Sequence, residues 1–188
     1  MERSTAAASV AAGTLTRRSA FVQAAWIVGF AALTAVGAQI EIPVVPVPIT
    51  LQTFIVLLSG AVLGMRGGAI SQILYLLAGI AGLPVFAGWA AGPALLLGPT
   101  GGYLLAFPVA AFITGWCVGE RKGFGWYLAG TLAGSLVIFL MGMTQLKIVY
   151  THNWTDAFTS GVLIFSLWDA VKVVGAAAIA HSLRRMIR

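Results

Sequence analysis

The sequence has little charge and almost no cysteine, and these two shortages exclude several classes of protein. Only 9% of its 188 residues are charged, five are acidic, and Cys117 is the one cysteine. A soluble domain carries about 25% charged residues, so the composition argues against a soluble protein. A single cysteine excludes an internal disulfide and a cysteine-rich metal site. Five acids in the whole chain argue against a calcium or magnesium site, so we predict no metal.

Recognisable sets of catalytic residues are missing as well. The sequence contains no Ser-His-Asp set, no H-E-x-x-H motif and no phosphate-binding G-K-[ST] loop. A nucleophile with an adjacent base, which covalent catalysis needs, is not visible. We therefore predict a protein that is not an enzyme and that holds no cofactor. An intramembrane enzyme is the least favoured alternative.

Long apolar runs dominate what is present. The chain is 60% hydrophobic, with a mean hydropathy of +0.97, and its apolar runs are long enough to cross a bilayer core of roughly 30 Å. These properties predict an all-α integral membrane protein with six transmembrane helices. The predicted helices cover residues 19–37, 49–64, 67–83, 101–119, 124–146 and 158–183.

The basic residues predict the orientation of these helices. If the helices alternate in direction, nine of the eleven Lys and Arg residues fall on one side of the membrane, and only Lys147 falls on the other. Cytoplasmic loops carry such an excess, so we expect a prokaryotic cell-membrane protein with both termini in the cytoplasm. No continuous basic face is visible, which argues against nucleic-acid binding. The nine residues are Arg3, Arg17, Arg18, Arg66, Arg121, Lys122, Arg184, Arg185 and Arg188.

The chain is expected to form one membrane domain, residues 19–188, after a short N-terminal tail. Residues 1–18 are rich in alanine, serine and threonine, and we expect a disordered cytoplasmic segment there. The basic residues before the first apolar run also resemble a signal peptide. That run is longer than the apolar region of such a peptide, so a retained helix is the favoured interpretation.

Two loops on the outer side have unusual compositions. Residues 38–50 hold three prolines, and residues 82–102 hold six glycines and three prolines while remaining largely apolar. Such segments cannot form ordinary helix. Apolar, non-helical backbone at membrane depth is tolerated where it packs on protein or lines a cavity. We therefore expect both loops to fold over the outer end of the helices as a lid, with Pro43, Pro46 and Pro48 stiffening the first.

Asp169 and Lys172 are charges inside the last apolar run. They are three residues apart, so a helix places them on one face. Charged residues within a membrane usually face the bundle interior and mark a substrate or ion path. The alternative is a structural pair that neutralises itself. Trp168 beside them is a candidate apolar wall for a bound ligand.

Further candidate contacts lie where two predicted helices begin. Thr100 can cap the fourth helix, and Gly101 lets a ligand approach the backbone amides at the positive end of the helix dipole. A plain turn with a cap is the alternative. Gln52 is an amide just inside the second helix, and taken by itself a helix–helix hydrogen bond is its more common role. Ala20 and Ala24 have a spacing at which another helix can approach closely, either within this chain or from a second membrane protein.

An ordered set of motifs resembles a known family. The set looks like the biotin-specific substrate-binding (S) components of energy-coupling factor (ECF) vitamin transporters, the BioY family. The resemblance covers residues 19–183 and rests on five segments: PVPITLQTF at 46–54, GAVLGxxxG at 60–68, GxxGLPVF at 79–86, GPTGGY at 98–103 and WDAVK at 168–172.

The resemblance implies a substrate pocket that opens to the outside, a lid from the first outer loop, and partners that energise transport. Those partners are a transmembrane T component and two ATPase subunits, which would use the ATP that this chain does not. The family's helix-6 acid and lysine correspond to Asp169 and Lys172, its glycine-rich segment to Gly98–Tyr103, and its docking motif to Ala20 and Ala24.

Biotin fits the chemistry of the candidate residues. Its ureido N–H groups suit Asp169, its carbonyl and carboxylate oxygens suit Lys172, and aromatic side chains such as Trp89 and Trp168 can cover its apolar rings. The expected substrate-binding set is completed by Gln52, Thr100, Gly101 and Tyr103. The open alternatives are an S component for another vitamin, and a self-sufficient secondary carrier that couples protons through Asp169.

Overall fold

The computed structural model describes the backbone of residues 2–121, 123–163 and 166–187, and side chains within 20–121, 123–162 and 167–185. Lys122 and Arg188, which contribute to the predicted charge asymmetry, lie outside the described residues. The described part consists mainly of α-helices, as the long apolar runs predict. The helices are α1 (Glu2–Gln39), α2 (Gln52–Ile80), α3 (Ala94–Leu97), α4 (Gly101–Val118), α5 (Phe124–Leu146), α6 (Trp154–Phe158) and α7 (Ser166–Ile187).

The first helix is longer than predicted. Its backbone is helical from Glu2, where the composition predicts a disordered tail over residues 1–18. Alanine has the highest intrinsic helix propensity, and five of residues 2–12 are alanine. An alanine-rich stretch joined directly to an apolar span extends that helix at little cost, because no new nucleus has to form.

The second helix contains the predicted second and third helices, joined by a break at Gly64. Gly64 has φ 78° and ψ 177°, a conformation that glycine adopts readily. The legs on either side run back along each other: the Gln72 amide donates to Ser59 Oγ at 3.2 Å, and a Cβ on Gly68 would lie 2.7 Å from Gly60 Cα. The predicted tight hairpin at residues 64–68 is therefore present.

Small residues let the remaining helices pack closely. A Cβ on Gly60 would overlap the Ala111 backbone of α4, and one on Gly115 of α4 would overlap Met65 of α2. Gly134 of α5 packs against Thr114 of α4 in the same way. Without a hydrophobic driving force between helices in lipid, such close van der Waals packing is what holds a bundle together.

The last predicted helix is divided into two. α6 is followed by a π-helical turn, Thr159–Leu163, and the axis of α6 with that turn lies 54° from the axis of α7. The helix predicted over 158–183 is therefore bent, and its first residues belong to α6 and the π-helical turn. As a result, Asp169 lies in the first turn of α7 instead of the middle of a helix.

By length and composition, the described residues contain four helices that could each cross a membrane, or five if α6 and α7 form one bent span. This count treats α2 as one helix, although its two legs on either side of Gly64 correspond to the predicted second and third helices; the predicted number of six is not confirmed. Large apolar side chains such as Phe21, Trp116 and Ile148 are more than half exposed, as expected for surfaces that face lipid. The protein is a multi-pass membrane protein.

The two predicted lid segments lie between helices, and we call them the hairpin loop (residues 40–51) and the long loop (residues 81–100). The hairpin loop contains two short antiparallel strands, β1 (Glu41–Ile42) and β2 (Ile49–Thr50), in which Glu41 pairs with Thr50 and Ile42 with Ile49. The all-α prediction is corrected here. Prolines exclude helix between the strands, and β-branched residues favour extended backbone.

Candidate functional site

Asp169 and Lys172 form an ion pair inside the bundle. Lys172 Nζ lies 3.2 Å from Asp169 Oδ1, and the Asp169 side chain is only 6% exposed. Thr53 of α2 joins the pair, since its hydroxyl donates to Asp169 Oδ1 at 3.0 Å and Lys172 Nζ donates to its oxygen at 3.2 Å. The three side chains connect α2 and α7 through charge-assisted hydrogen bonds, which are the strong class.

The ion pair leaves part of its hydrogen-bonding capacity unused. Asp169 Oδ2 is buried and has no hydrogen-bond partner among the described residues. The positive end of the α7 dipole favours a carboxylate in its first turn, but that field is not a hydrogen bond. A buried carboxylate oxygen without a donor is costly, so a ligand N–H placed against Oδ2 would remove a penalty and gain a bond.

A cavity of about 250 Å³ lies against this pair. Asp169, Lys172 and Thr53 form a polar part of its wall, and the hairpin loop, the long loop, α4 and α5 form the rest. Most of the wall is apolar; it includes Val47, Phe86, Leu95, Leu104, Phe107 and Ile138. A small molecule with an apolar body and a few polar groups matches such a wall.

A chain of hydrogen bonds runs from the hairpin loop to the long loop beside the cavity. The Thr50 hydroxyl donates to Gln52 Oε1 at 2.9 Å, and Gln52 Nε2 donates to the Tyr75 hydroxyl at 2.5 Å. The Tyr75 hydroxyl then donates to the Val85 carbonyl at 3.1 Å. Gln52 lines the cavity as predicted, and it also makes a contact between the two legs of α2, the more common role of such an amide.

The predicted residues at the start of α4 divide into two groups. Thr100 and Tyr103 line the cavity, and Tyr103 donates its hydroxyl to the Gly161 carbonyl at 2.9 Å. Thr100 occupies the N-cap position, but its side chain makes no capping hydrogen bond. Gly101 does not line the cavity, because a Cβ there would meet the Leu96 carbonyl and the Gln145 amide. The missing side chain of Gly101 lets Leu96 and Gln145 pack against it. Because these protein atoms occupy the space beside Gly101, a ligand is not expected at its backbone.

Both predicted tryptophans lie outside the cavity. Trp89 is 70% exposed, and its backbone N–H donates to Gln39 Oε1 at 3.0 Å. Trp168 is 54% exposed and lines a separate surface depression. Two consecutive positions on a helix point about 100° apart, so Asp169 faces inward and Trp168 faces away from the cavity. The predicted aromatic wall is instead formed by Phe86 and Phe107.

The predicted lid and docking residues have different surroundings. Among the three prolines, Pro48 lines the cavity, and Pro43 and Pro46 lie beyond its wall. Ala20 and Ala24 are exposed on α1. Their exposure removes the alternative that these alanines pack within this chain, and it leaves that face open to lipid or to another protein.

Several cavity residues escape sequence reasoning. Thr53 is a polar one, and its hydroxyl contacts Asp169. Tyr75 is not among the residues that line the cavity; it supports one of them by accepting a hydrogen bond from the Gln52 amide. Thr53 belongs to the segment PVPITLQTF at 46–54, but its residue type alone does not distinguish it from its neighbours. The pattern of polar side chains Gln52, Thr53 and Tyr75 within apolar helices is the available clue, since polar groups in membrane helices usually face the bundle interior.

Within the part of the chain that the structure describes, no group of three or more His, Cys, Asp or Glu side chains is arranged to hold a metal. The site is defined by a buried acid–base pair beside an apolar cavity in a multi-pass membrane protein. Fold and site together define a membrane-embedded protein that accommodates a small amphipathic molecule.

The chain belongs to the BioY family, whose family model matches residues 6–188. It is similar to the biotin transporter BioY of Thermotoga maritima, with 43% identity over 157 residues, 84% of this chain and 92% of that protein. A probable biotin transporter BioY of Pyrococcus horikoshii is 47% identical over 155 residues, 82% of this chain and 91% of that protein. The family is one of transporters, not of enzymes.

The fold is also similar to a solved structure. The crystal structure of the S-component for biotin from an ECF-type ABC transporter superimposes with a TM-score of 0.82 at 25% sequence identity. The match covers 89% of this chain and 93% of that one.

Proposed function

We propose that this protein is the substrate-binding (S) component of an ECF-type biotin uptake system. The observation that carries the proposal is the unpartnered Asp169 Oδ2 beside Lys172 in the wall of an otherwise apolar cavity. The biotin transporters and the biotin S-component to which the chain is similar support this substrate.

Biotin carries hydrogen-bond donors and acceptors that complement the polar side chains of this cavity. Its ureido N–H groups can donate to Asp169 Oδ2, and Lys172 can donate to an oxygen of the same ligand. Thr53 holds both charged side chains, at 3.0 Å and 3.2 Å, so the pair is positioned before the ligand arrives. Pockets for drug-sized ligands measure about 300–1,000 Å³. The volume of this cavity, about 250 Å³, is slightly below that range and suits a compact vitamin.

The protein would act in a prokaryotic cell membrane with both termini in the cytoplasm. It would capture biotin from the outer face and deliver it inward together with a transmembrane T component and two ABC-type ATPase subunits, which hydrolyse the ATP. The exposed Ala20 and Ala24 on α1 are the proposed contact with the T component, since small side chains permit close helix approach.

Replacement of Asp169 by asparagine tests the site. We expect a loss of about 1.5–3 kcal/mol, or roughly 10–150-fold in biotin affinity, because one charge-assisted bond is removed in a dry pocket. Asp156→Asn removes the charge of an exposed acid of α6, whose side chain contacts Asn153 and does not line the cavity, and it should bind biotin normally. Titration of purified proteins with biotin measures both constants, and near-normal affinity of Asp169→Asn would refute a direct contact.

Two further experiments test the alternative ligands and the alternative transport mechanism. Competition with a panel of vitamins identifies the ligand, since an S component for another vitamin would prefer that compound. Uptake with and without the ATPase partners separates an energised system from a self-sufficient carrier. Dependence of uptake on a proton gradient, abolished in Asp169→Asn, would favour the carrier.

Bulky residues on α1 test the proposed partner contact. Ala20→Trp and Ala24→Trp should leave biotin affinity unchanged and should reduce co-purification with the T component and energised uptake, because tryptophan prevents close helix contact. Ala178→Trp, at an exposed alanine of α7, is the matched control. Unchanged co-purification and uptake of the α1 variants would mean that these alanines face lipid.

A further inference from the structure

A second depression lies next to the cavity, between the hairpin loop and α7. We call it the side depression; its volume is about 180 Å³. Glu41, Ile42 and Ile49 of the hairpin loop and Trp168 of α7 form part of its wall. Ile42 is 48% and Trp168 54% exposed, so the side depression opens at the protein surface.

The side depression and the cavity share two lining residues, Thr50 and Lys172. These two side chains therefore form the partition between the surface and the binding site. The Thr50 hydroxyl is held in place by Gln52. Lys172 is held by its two 3.2 Å contacts, to Thr53 and Asp169.

The opposite wall of the cavity is held more firmly. Gln39 of α1 donates to the Phe86 carbonyl at 2.9 Å, and Gln145 of α5 donates to the Leu96 and Gly98 carbonyls at 2.7 and 2.8 Å. An opening there would require several backbone contacts to break. On the other side, displacement of the Lys172 side chain opens the partition; it breaks the two 3.2 Å contacts to Thr53 and Asp169 but moves no backbone.

From this difference we infer that the side depression is the entrance through which the ligand reaches the cavity, and that the Lys172 side chain is its gate. The inference rests on the proposed function, in which the ligand is a small carboxylic acid with an apolar body. Its carboxylate would be attracted to Lys172 at the inner end of the depression, and its apolar body would pass along Ile42, Ile49 and Trp168.

An obstacle in an entrance has a kinetic signature that a damaged pocket lacks. It slows association and dissociation by the same factor, because the free and bound states are unchanged and only the path between them is narrowed. The dissociation constant then stays constant. A change in pocket shape would alter that constant, mainly through the dissociation rate.

A thiol-specific label provides this obstacle. In a Cys117→Ala background, Ile42→Cys places a thiol in the side depression, and Val45→Cys places a matched thiol at the tip of the same loop, which is 81% exposed and outside both cavities. Each protein is reacted with a bulky maleimide, and biotin binding and release are followed by stopped flow. We expect label at position 42 to lower both rates by about tenfold or more with the Kd within about twofold, and label at position 45 to change neither rate.

Three results would overturn the inference: unchanged rates with label at position 42, equal slowing with label at position 45, or a shift of the Kd instead of both rates. Ile42→Trp and Val45→Trp, which need no chemistry, should give the same contrast and provide a second measurement if a cysteine variant folds poorly. If the unlabelled Cys117→Ala protein fails to bind biotin, the proposed function fails and the inference fails with it. If it binds biotin and the label has no effect, the inference alone is wrong.

Discussion

The hairpin loop and the long loop each hold three prolines among largely apolar residues, but they differ in how they are held. The strands of the hairpin loop pair over two residues each, and the Leu51 N–H donates to the Gly37 and Ile40 carbonyls at its base. Its tip projects outward, with Val45 81% exposed. The long loop accepts side-chain hydrogen bonds from Gln39, Tyr75 and Gln145, which belong to three different helices.

This difference assigns separate roles to two segments that the sequence predicts as one lid. The long loop contributes Phe86, Ala87 and Leu95 to the cavity, and its contacts with three helices make it a fixed wall. The hairpin loop contributes Val47, Pro48 and Thr50. Val47 and Ile49 anchor it in the core, so its exposed tip around Val45 is the movable part. Regions with few contacts open at low free-energy cost, which is what a ligand gate requires.

The largest effect is expected where the fixed wall loses its anchors. Gln145→Leu and Gln39→Leu each remove two hydrogen bonds to the long-loop backbone and should weaken biotin binding by about 1–2 kcal/mol, or roughly 5–30-fold. The ligand would then have to order a loosened wall. Gln23→Leu, at an exposed glutamine of α1, should have no effect in the same titration. Affinity of both variants equal to that of Gln23→Leu would mean that the long loop is positioned by its apolar contacts alone.

A smaller, kinetic effect is expected from the movable part of the hairpin loop. Replacing residues 43–46 by two glycines removes Pro43 and Pro46 and leaves the cavity residues Val47 and Pro48 in the chain. The stiffness that keeps Pro48 against the cavity would be lost, so biotin release should accelerate several-fold, and capture should slow by less. Stopped-flow measurement of both rates decides the matter. A release rate within about twofold of wild type in a folded variant would mean that the hairpin loop is a connector and not a lid.

The smallest effect is expected at Trp89, a large and mostly exposed side chain on the long loop. Its side chain is 70% exposed, and the hydrogen bond to Gln39 comes from its backbone. Trp89→Ala should therefore change biotin affinity by no more than about twofold, since an exposed substitution costs little. Trp126→Ala, at another exposed tryptophan, is the reference in the same titration. A loss of tenfold or more would place the Trp89 side chain on the ligand and revise the boundary of the fixed wall.

Sequence reasoning reached the helical architecture and the Asp169–Lys172 pair because both depend on local patterns. Hydropathy over about 20 residues predicts spans, and a separation of three residues predicts a shared helix face. Trp89, Trp168 and Gly101 were selected for residue type next to a motif; the structure places them outside the cavity wall, and their contact with a ligand stays a prediction. A tryptophan beside an inward-facing acid points elsewhere, and a glycine beside a pocket can serve packing against Gln145.

The BioY resemblance was also carried by ordered motifs, and the family match over residues 6–188 confirms it. The number of membrane-spanning helices was harder to predict from the sequence. The turn at Gly64 was predicted, and the two legs of α2 run back along each other from it, but six membrane spans are not confirmed. The bend between α6 and α7 carries no proline, and its local clue is the Ser160–Gly161 pair within the π-helical turn. Its angle depends on packing that a local pattern does not contain.

The sequence by itself determined that this chain lies in a membrane, that prolines and glycines interrupt its helices at two loops, and that an acid and a base share one face of the last helix. Each of these follows from residues close together in the chain. The tertiary structure decided that Thr53 joins Asp169 across a separation of 116 residues, and that Gln39 holds Phe86 across 47. Such contacts depend on how each helix is rotated and tilted against its neighbours, and that is settled by the packing of all the helices together.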